Sequence, residues 1–246
     1  MTALPVQTQS LSLTNGDLTI AAYLAQPQAS GIYPGIVVIQ EVFGINSHIR
    51  NITERLAQAG YVAIAPAIYQ RTAPGFEVGY SPEDLAEGRK HKEQTTAPQL
   101  LNDIQCAIAY LQSLSQVKLG GVGTIGFCFG GHVAYLAATL PTVRATASFY
   151  GAGIAIMTPG GDEPTLMRTA EIQGTIYCFF GNADPLIPVE QVETITTALQ
   201  THQIDHQIFR YDNVGHGFVC DQRSDYDETA ANHAWQQALQ LFKAKL

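Results

Sequence analysis

Short, uninterrupted apolar runs alternate with helix-length amphipathic segments along most of this chain, and that alternation restricts the fold more than any other feature. Gly35-Ile-Val-Val-Ile-Gln is a continuous β-branched run. Ile49, Ile52, Leu56 and Ala59 then recur at helical spacing, Gly60 closes the segment, and Tyr61-Val-Ala-Ile-Ala is a second run. Strand, helix and strand at this spacing make a parallel crossover unit. The pattern continues with a helix over 107–114, strand 122–126, helix 133–140, strands 145–150 and 175–180, helix 189–199, strand 206–211 and helix 230–242. Strands that are apolar throughout belong in a sheet covered on both faces. The expectation is therefore an α/β fold, one mostly parallel sheet with helices on both faces, formed as a single domain over residues 1–246. Before it, Leu11 to Tyr23 reads as an antiparallel hairpin turning at Asn15-Gly16, the pair suited to a type I′ turn. The stretches 66–98 and 151–171 interrupt the alternation with turn formers. In open α/β sheets ligands bind outside the carboxyl ends of the strands, so long loops there are candidate lids.

The segment richest in chemistry is Gly126-Phe-Cys128-Phe-Gly-Gly131, between the strand over 122–126 and a helix beginning just after Cys128. A nucleophile on a strained strand-to-helix turn needs glycines two positions either side, because a Cβ there would separate the strand and helix. A helix N-terminus under a thiol also favours its thiolate. A small cysteine packed in a Gly-rich site is equally compatible with this segment alone. Gly121-Val-Gly-Thr-Ile-Gly126 overlaps it and matches G-x-G-x-x-G. Dinucleotide binding, however, requires glycines that follow a strand and an acidic residue about 20 positions later. Here the glycines enclose the strand, and no Asp or Glu occurs from Gly121 to Gly161. A nicotinamide oxidoreductase is nearly excluded on those grounds.

A cysteine nucleophile needs a base and a group to orient it, in the chain order nucleophile, acid, histidine. Asp184 follows the strand over 175–180 in Gly181-Asn-Ala-Asp184-Pro, and His216 follows the strand over 206–211 between two glycines. Singly, they read as a turn residue and a solvated loop histidine. Three such residues at three strand ends in triad order are hard to reach by accident. Glu41, directly after the first parallel strand, adds a carboxylate at the same edge. The loop that carries it ordinarily donates one oxyanion-hole amide, here from Val42, beside the amide of Phe129.

These motifs together, Gln40-Glu41-Val-Phe-Gly-Ile-Asn46, Gly126-Phe-Cys128-Phe-Gly-Gly131, Gly181-Asn-Ala-Asp184 with Pro188, and Gly215-His216-Gly-Phe218, resemble the dienelactone hydrolases. These are α/β-hydrolases that open an unsaturated lactone with a cysteine, and the resemblance runs from about Leu11 to Phe242. It implies Cys128 as nucleophile, Asp184 and His216 as its partners, and Glu41 as a carboxylate that substrate displaces and that then takes the thiol proton. It also implies a substrate-binding arginine four residues after the histidine, where this chain has Cys220. Arg223 and Arg89 are the candidates to replace it. The substrate expected is a small lactone or ester, with a general carboxylesterase or thioesterase, or an inactive binding protein of the same fold, as alternatives.

Charge and cysteine usage narrow the setting. Thirteen Lys+Arg against 21 Asp+Glu give a net charge of −8 with no basic run, so neither nucleic acid nor anionic lipid is an expected partner. Met1 to Gln9 lacks both Lys/Arg and an apolar stretch, and the expected location is cytoplasmic. The four cysteines have no CxxC spacing, and His202 and His206 lack a third ligand nearby. Neither a metal nor a cofactor is expected, and no feature fixes an oligomeric state.

Overall fold

The computed structural model describes residues 3–246, so the first two residues of the expected domain lie outside the description. Its centre is one eight-stranded sheet in the order β1-β2-β4-β3-β5-β6-β7-β8. The strands are β1 (Val6–Asn15), β2 (Leu18–Pro27), β3 (Gly35–Ile39), β4 (Val62–Pro66), β5 (Val122–Phe127), β6 (Val143–Phe149), β7 (Thr175–Gly181) and β8 (His206–Tyr211). β1, β2 and β4 pair antiparallel, and every pair from β4 onward through β8 is parallel. The helices are α1 (Ser47–Gln58), α2 (Pro82–Glu93), α3 (Ala97–Ser113), α4 (Phe129–Ala137), α5 (Val189–Thr201) and α6 (Glu228–Lys245), with a 3₁₀ segment at Thr165–Glu171.

The apolar runs divide their side chains between the two faces, as a period of two dictates. Ile36, Val38, Ala63 and Ala65 join Ile49, Ile52 and Leu56 of α1 and Leu241 and Phe242 of α6 in one cluster. Val37, Ile39, Val62 and Ile64 join Leu100, Ile104 and Leu111 of α3 in the other. All ten residues of β3 and β4 are buried, so neither strand has a polar face to show water. Among the described residues no helix is long and apolar enough to cross a membrane.

Three sequence expectations change in detail. The hairpin register pairs Asn15 with Leu18, so its turn residues are Gly16 and Asp17 rather than Asn15 and Gly16. Only Gly16 has positive φ, +60°, which is the pattern of a type II′ turn and not of type I′. The stretch 66–98 contains α2, a full helix in what reads as loop. α2 buries only Gly88, so it has no apolar stripe to reveal it, yet Ser81 and Asp84 form a reciprocal capping box that starts it. α3 begins at Ala97, ten residues before its apolar repeat becomes legible at Ala107.

Candidate active site

Four chain segments deliver polar side chains to the carboxyl edge of the sheet. Cys128 follows β5 and is the N-cap of α4, with φ 55° and ψ −118°. A side chain in that region carries about 1–3 kcal/mol of strain, which the surroundings hold in place. The Cys128 amide donates to the Phe149 carbonyl at 3.0 Å, and its own carbonyl accepts from Gly131 N at 3.0 Å. The flanking glycines are required by contact as well as by conformation. A Cβ on Gly126 would stand 1.9 Å from the Gly130 carbonyl oxygen, and one on Gly130 would stand 2.3 Å from that of Ile39. The turn is thus pressed between its own helix and the end of β3.

Asp184, in the turn after β7, and His216, in the loop after β8, meet at this edge. Nδ1–H of His216 donates to Asp184 Oδ2 at 2.7 Å, and the other carboxylate oxygen accepts from Leu186 N at 2.8 Å. Both side chains are buried. Nε2 of His216 has no hydrogen-bond partner among the described residues. Burial alone would lower the imidazole pKa, but Cys128 and the Asp184 carboxylate outweigh it and push the value up to about 10. That influence places Cys128 within electrostatic reach of the ring. Tyr150, at φ 37° just past β6, stands edge-on to the same imidazole with ring centroids 5.2 Å apart.

Glu41, two residues past β3, is completely buried and is tied down from two sides. Arg223 Nη1 donates to Oε1 at 3.2 Å and the Tyr80 hydroxyl to Oε2 at 3.3 Å. Tyr80 is positioned in turn by Asn46, whose side-chain amide donates to its hydroxyl at 3.0 Å and whose Oδ1 caps α1 through Ile49 N. The Arg223 guanidinium lies 5.9 Å from the ring centres of both Phe43 and Tyr80. Neither the Phe129 nor the Val42 amide donates to a turn, loop or cap carbonyl among the described residues.

Of the two candidate arginines, Arg223 is the one hydrogen-bonded to this cluster. Arg89 lies on the exposed side of α2 and forms neither a hydrogen bond nor an ion pair among the described residues. Cys220 is buried, and burial together with Glu41 pushes its thiol pKa up to about 11.

A model of the dienelactone hydrolase family matches residues 20–246. The chain belongs to the dienelactone hydrolase family. A Synechocystis sp. protein provisionally named carboxymethylenebutenolidase is 55% identical over 241 residues, covering 98% of each chain. A Bradyrhizobium sp. relative, provisionally named 2-oxo-3-(5-oxofuran-2-ylidene)propanoate lactonase, is 31% identical over 92% of this chain and 89% of its own. Among solved structures, a provisionally named dienelactone hydrolase from Klebsiella pneumoniae superposes with a TM-score of 0.88 at 28% identity, covering 97% of this chain and 99% of that one. This dienelactone hydrolase family member is accordingly a hydrolase of ester or lactone bonds with an α/β-hydrolase fold.

His132, Cys178 and Cys106 are held by the fold. His132 in α4 is fully buried, with Nδ1 donating to the Ala152 carbonyl at 3.1 Å and Nε2 accepting from the Thr165 hydroxyl at 2.7 Å. Burial lowers its pKa to about 4, so it stays neutral. Cys178 is a core residue of β7, and Cys106 in α3 donates its S–H to the Thr14 carbonyl at 3.1 Å. Sequence reasoning missed Tyr80 and Tyr150. Tyr150 ends a strand, so the rule that finds Glu41 would also have found it. Tyr80 sits in the stretch that reads as loop and has no such signal.

Proposed function

We propose that the protein opens a lactone or ester through an acyl-thioester on Cys128. The Cys128 sulfur attacks the carbonyl carbon, and the oxygen, now carrying the negative charge, is received by the amides of Phe129 and Val42. As the ring C–O bond breaks, the leaving alkoxide takes the Nε2 proton of the His216 imidazolium. His216 then removes a proton from water, the hydroxide attacks the thioester, and the hydroxy acid leaves with Cys128 regenerated. Asp184 accepts from Nδ1–H throughout, so the proton given to the alkoxide and the one taken from water both pass through Nε2.

Glu41 is the group this reading assigns to nucleophile activation. Arg223 is the cation that holds it in the resting enzyme. A substrate carboxylate that competes for Arg223 releases Glu41, which takes the Cys128 thiol proton and leaves the thiolate. Substrates of this kind are lactones that carry an acid group, a class to which the compound in the Bradyrhizobium relative's name belongs.

The observation that carries the proposal is the 2.7 Å bond from His216 to Asp184 beside a cysteine at positive φ. Hydrolysis of lactones, aryl esters and thioesters is to be measured with wild type and Cys128→Ala in parallel, with rapid quench and intact mass on a slow ester. An adduct on wild type and loss of nearly all activity in the variant are expected. Full activity in Cys128→Ala refutes the mechanism. Arg223→Met should lose kcat/KM on an acidic lactone by about 10- to 150-fold, the equivalent of one charge-assisted hydrogen bond of about 1.5–3 kcal/mol. An equal loss on a neutral aryl ester would instead favour a general esterase.

A further inference from the structure

Glu41, His48 and Cys220 arrive from three separate segments, the end of β3, the first turn of α1 and the loop after β8. One ligand atom from each, a carboxylate oxygen, a ring nitrogen and a sulfur, lies within 4.8 Å of the other two, and all three side chains are buried. His48 adds an independent observation. It is only 3% exposed, and its Nε2 has no hydrogen-bond partner among the described residues, although buried imidazole nitrogens are ordinarily satisfied. The hydrolytic reading uses neither His48 nor Cys220.

We propose that Glu41, His48 and Cys220 form a binding site for one thiophilic divalent cation of the zinc class. A thiolate, an imidazole and a carboxylate are the donor set that such ions prefer. Bonds of 2.0–2.3 Å to a tetrahedral ion put ligand atoms about 3.5 Å apart, so the three atoms must close by little more than about 1 Å. Rotation of the side chains can supply that. On binding, the Cys220 S–H bond breaks as the sulfur–metal bond forms and the proton passes to the buffer, while His48 and Glu41 donate lone pairs. Cys220 and Glu41 supply two negative charges, Arg223 gives up its hydrogen bond to Glu41, and one coordination position remains for water. Occupancy fixes Glu41 in place and inhibits hydrolysis, a consequence that rests on the reading of Glu41 as the mobile proton acceptor.

Cobalt(II) is the probe, because a thiolate on cobalt gives a near-ultraviolet charge-transfer band. The full chain carrying Cys128→Ser, which removes the nucleophile as a competing ligand, should bind one cobalt per chain with that band, and one equivalent of zinc should displace it. Adding Cys220→Ser should abolish the band. His48→Phe, which keeps an aromatic ring against Phe127, should weaken cobalt binding at least about 10-fold and provides a second variant should Cys220→Ser fail to fold by circular dichroism. No stoichiometric binding, or a band that survives Cys220→Ser or an affinity that survives His48→Phe, overturns the site. Zinc should also inhibit wild-type hydrolysis reversibly to chelator, with His48→Phe requiring at least about 10-fold more. Stoichiometric binding without inhibition would leave the site standing and overturn both the inhibitory consequence and the mobile role of Glu41.

Discussion

Replacing Arg223 by Met removes a charge while retaining much of the packing against Phe43 and Tyr80. The Glu41 side chain is 0% exposed and that of Arg223 17%, with 3.2 Å between Nη1 and Oε1. Removing one partner of a buried pair costs about 3–5 kcal/mol, because the other charge is left without compensation. At about 2–4 °C per kcal/mol for a chain of this size, the melting temperature should fall by about 6–20 °C. Glu41→Gln is the milder change, since the amide oxygen still accepts from Arg223, which reaches solvent. Its cost should be that of one hydrogen bond to a charged group, about 1.5–3 kcal/mol. The double variant has no unpaired carboxylate, so its loss should be smaller than the sum of the two. Equilibrium unfolding in urea of the four proteins gives the coupling directly, and a value of about 0.5–3 kcal/mol is expected. Coupling below about 0.5 kcal/mol would refute the claim that Arg223 is what makes a buried carboxylate tolerable at the end of β3.

The His216 imidazole, with its pKa raised to about 10, contributes stability in its charged form that is fully present below about pH 6.5 and is lost as the pH rises through the raised value. Wild type should therefore lose more stability between pH 7 and 10 than Cys128→Ala, in which the main cause of the rise is absent; equal losses in urea titrations at the two pH values would contradict this. Gly130→Ala places a methyl 2.3 Å from the Ile39 carbonyl oxygen and 2.4 Å from that of Gln40. It should cost about 1–3 kcal/mol and reduce kcat, as measured by unfolding and steady-state assay. Gly16→Ala has open space around it but must hold φ at +60°, so a loss of about 1–2 kcal/mol with unchanged kcat/KM is expected from the same two measurements.

The parallel strands are legible in the sequence to within two residues at either end. β3 and β4 are legible because a strand covered on both faces is buried and apolar at every position, and β5 and β7 because they are largely so. Placing Cys128, Asp184, His216 and Glu41 at one edge follows from that reading alone, since parallel strands put all their carboxyl ends on one side. Helix α2 escaped it because a helix with one buried residue has no periodicity, and only its capping box was available. Tertiary structure decided which side chains meet. Arg223 and Arg89 are equivalent as sequence candidates, yet the loop after β8 folds back over β3 and gives Glu41 to Arg223, while Arg89 faces outward from α2. The same folding brings Tyr80 to Glu41 across 39 positions and gathers Glu41, His48 and Cys220. Loop contacts of this kind depend on chain closure and packing shape, for which neither hydrophobic period nor residue spacing carries a code.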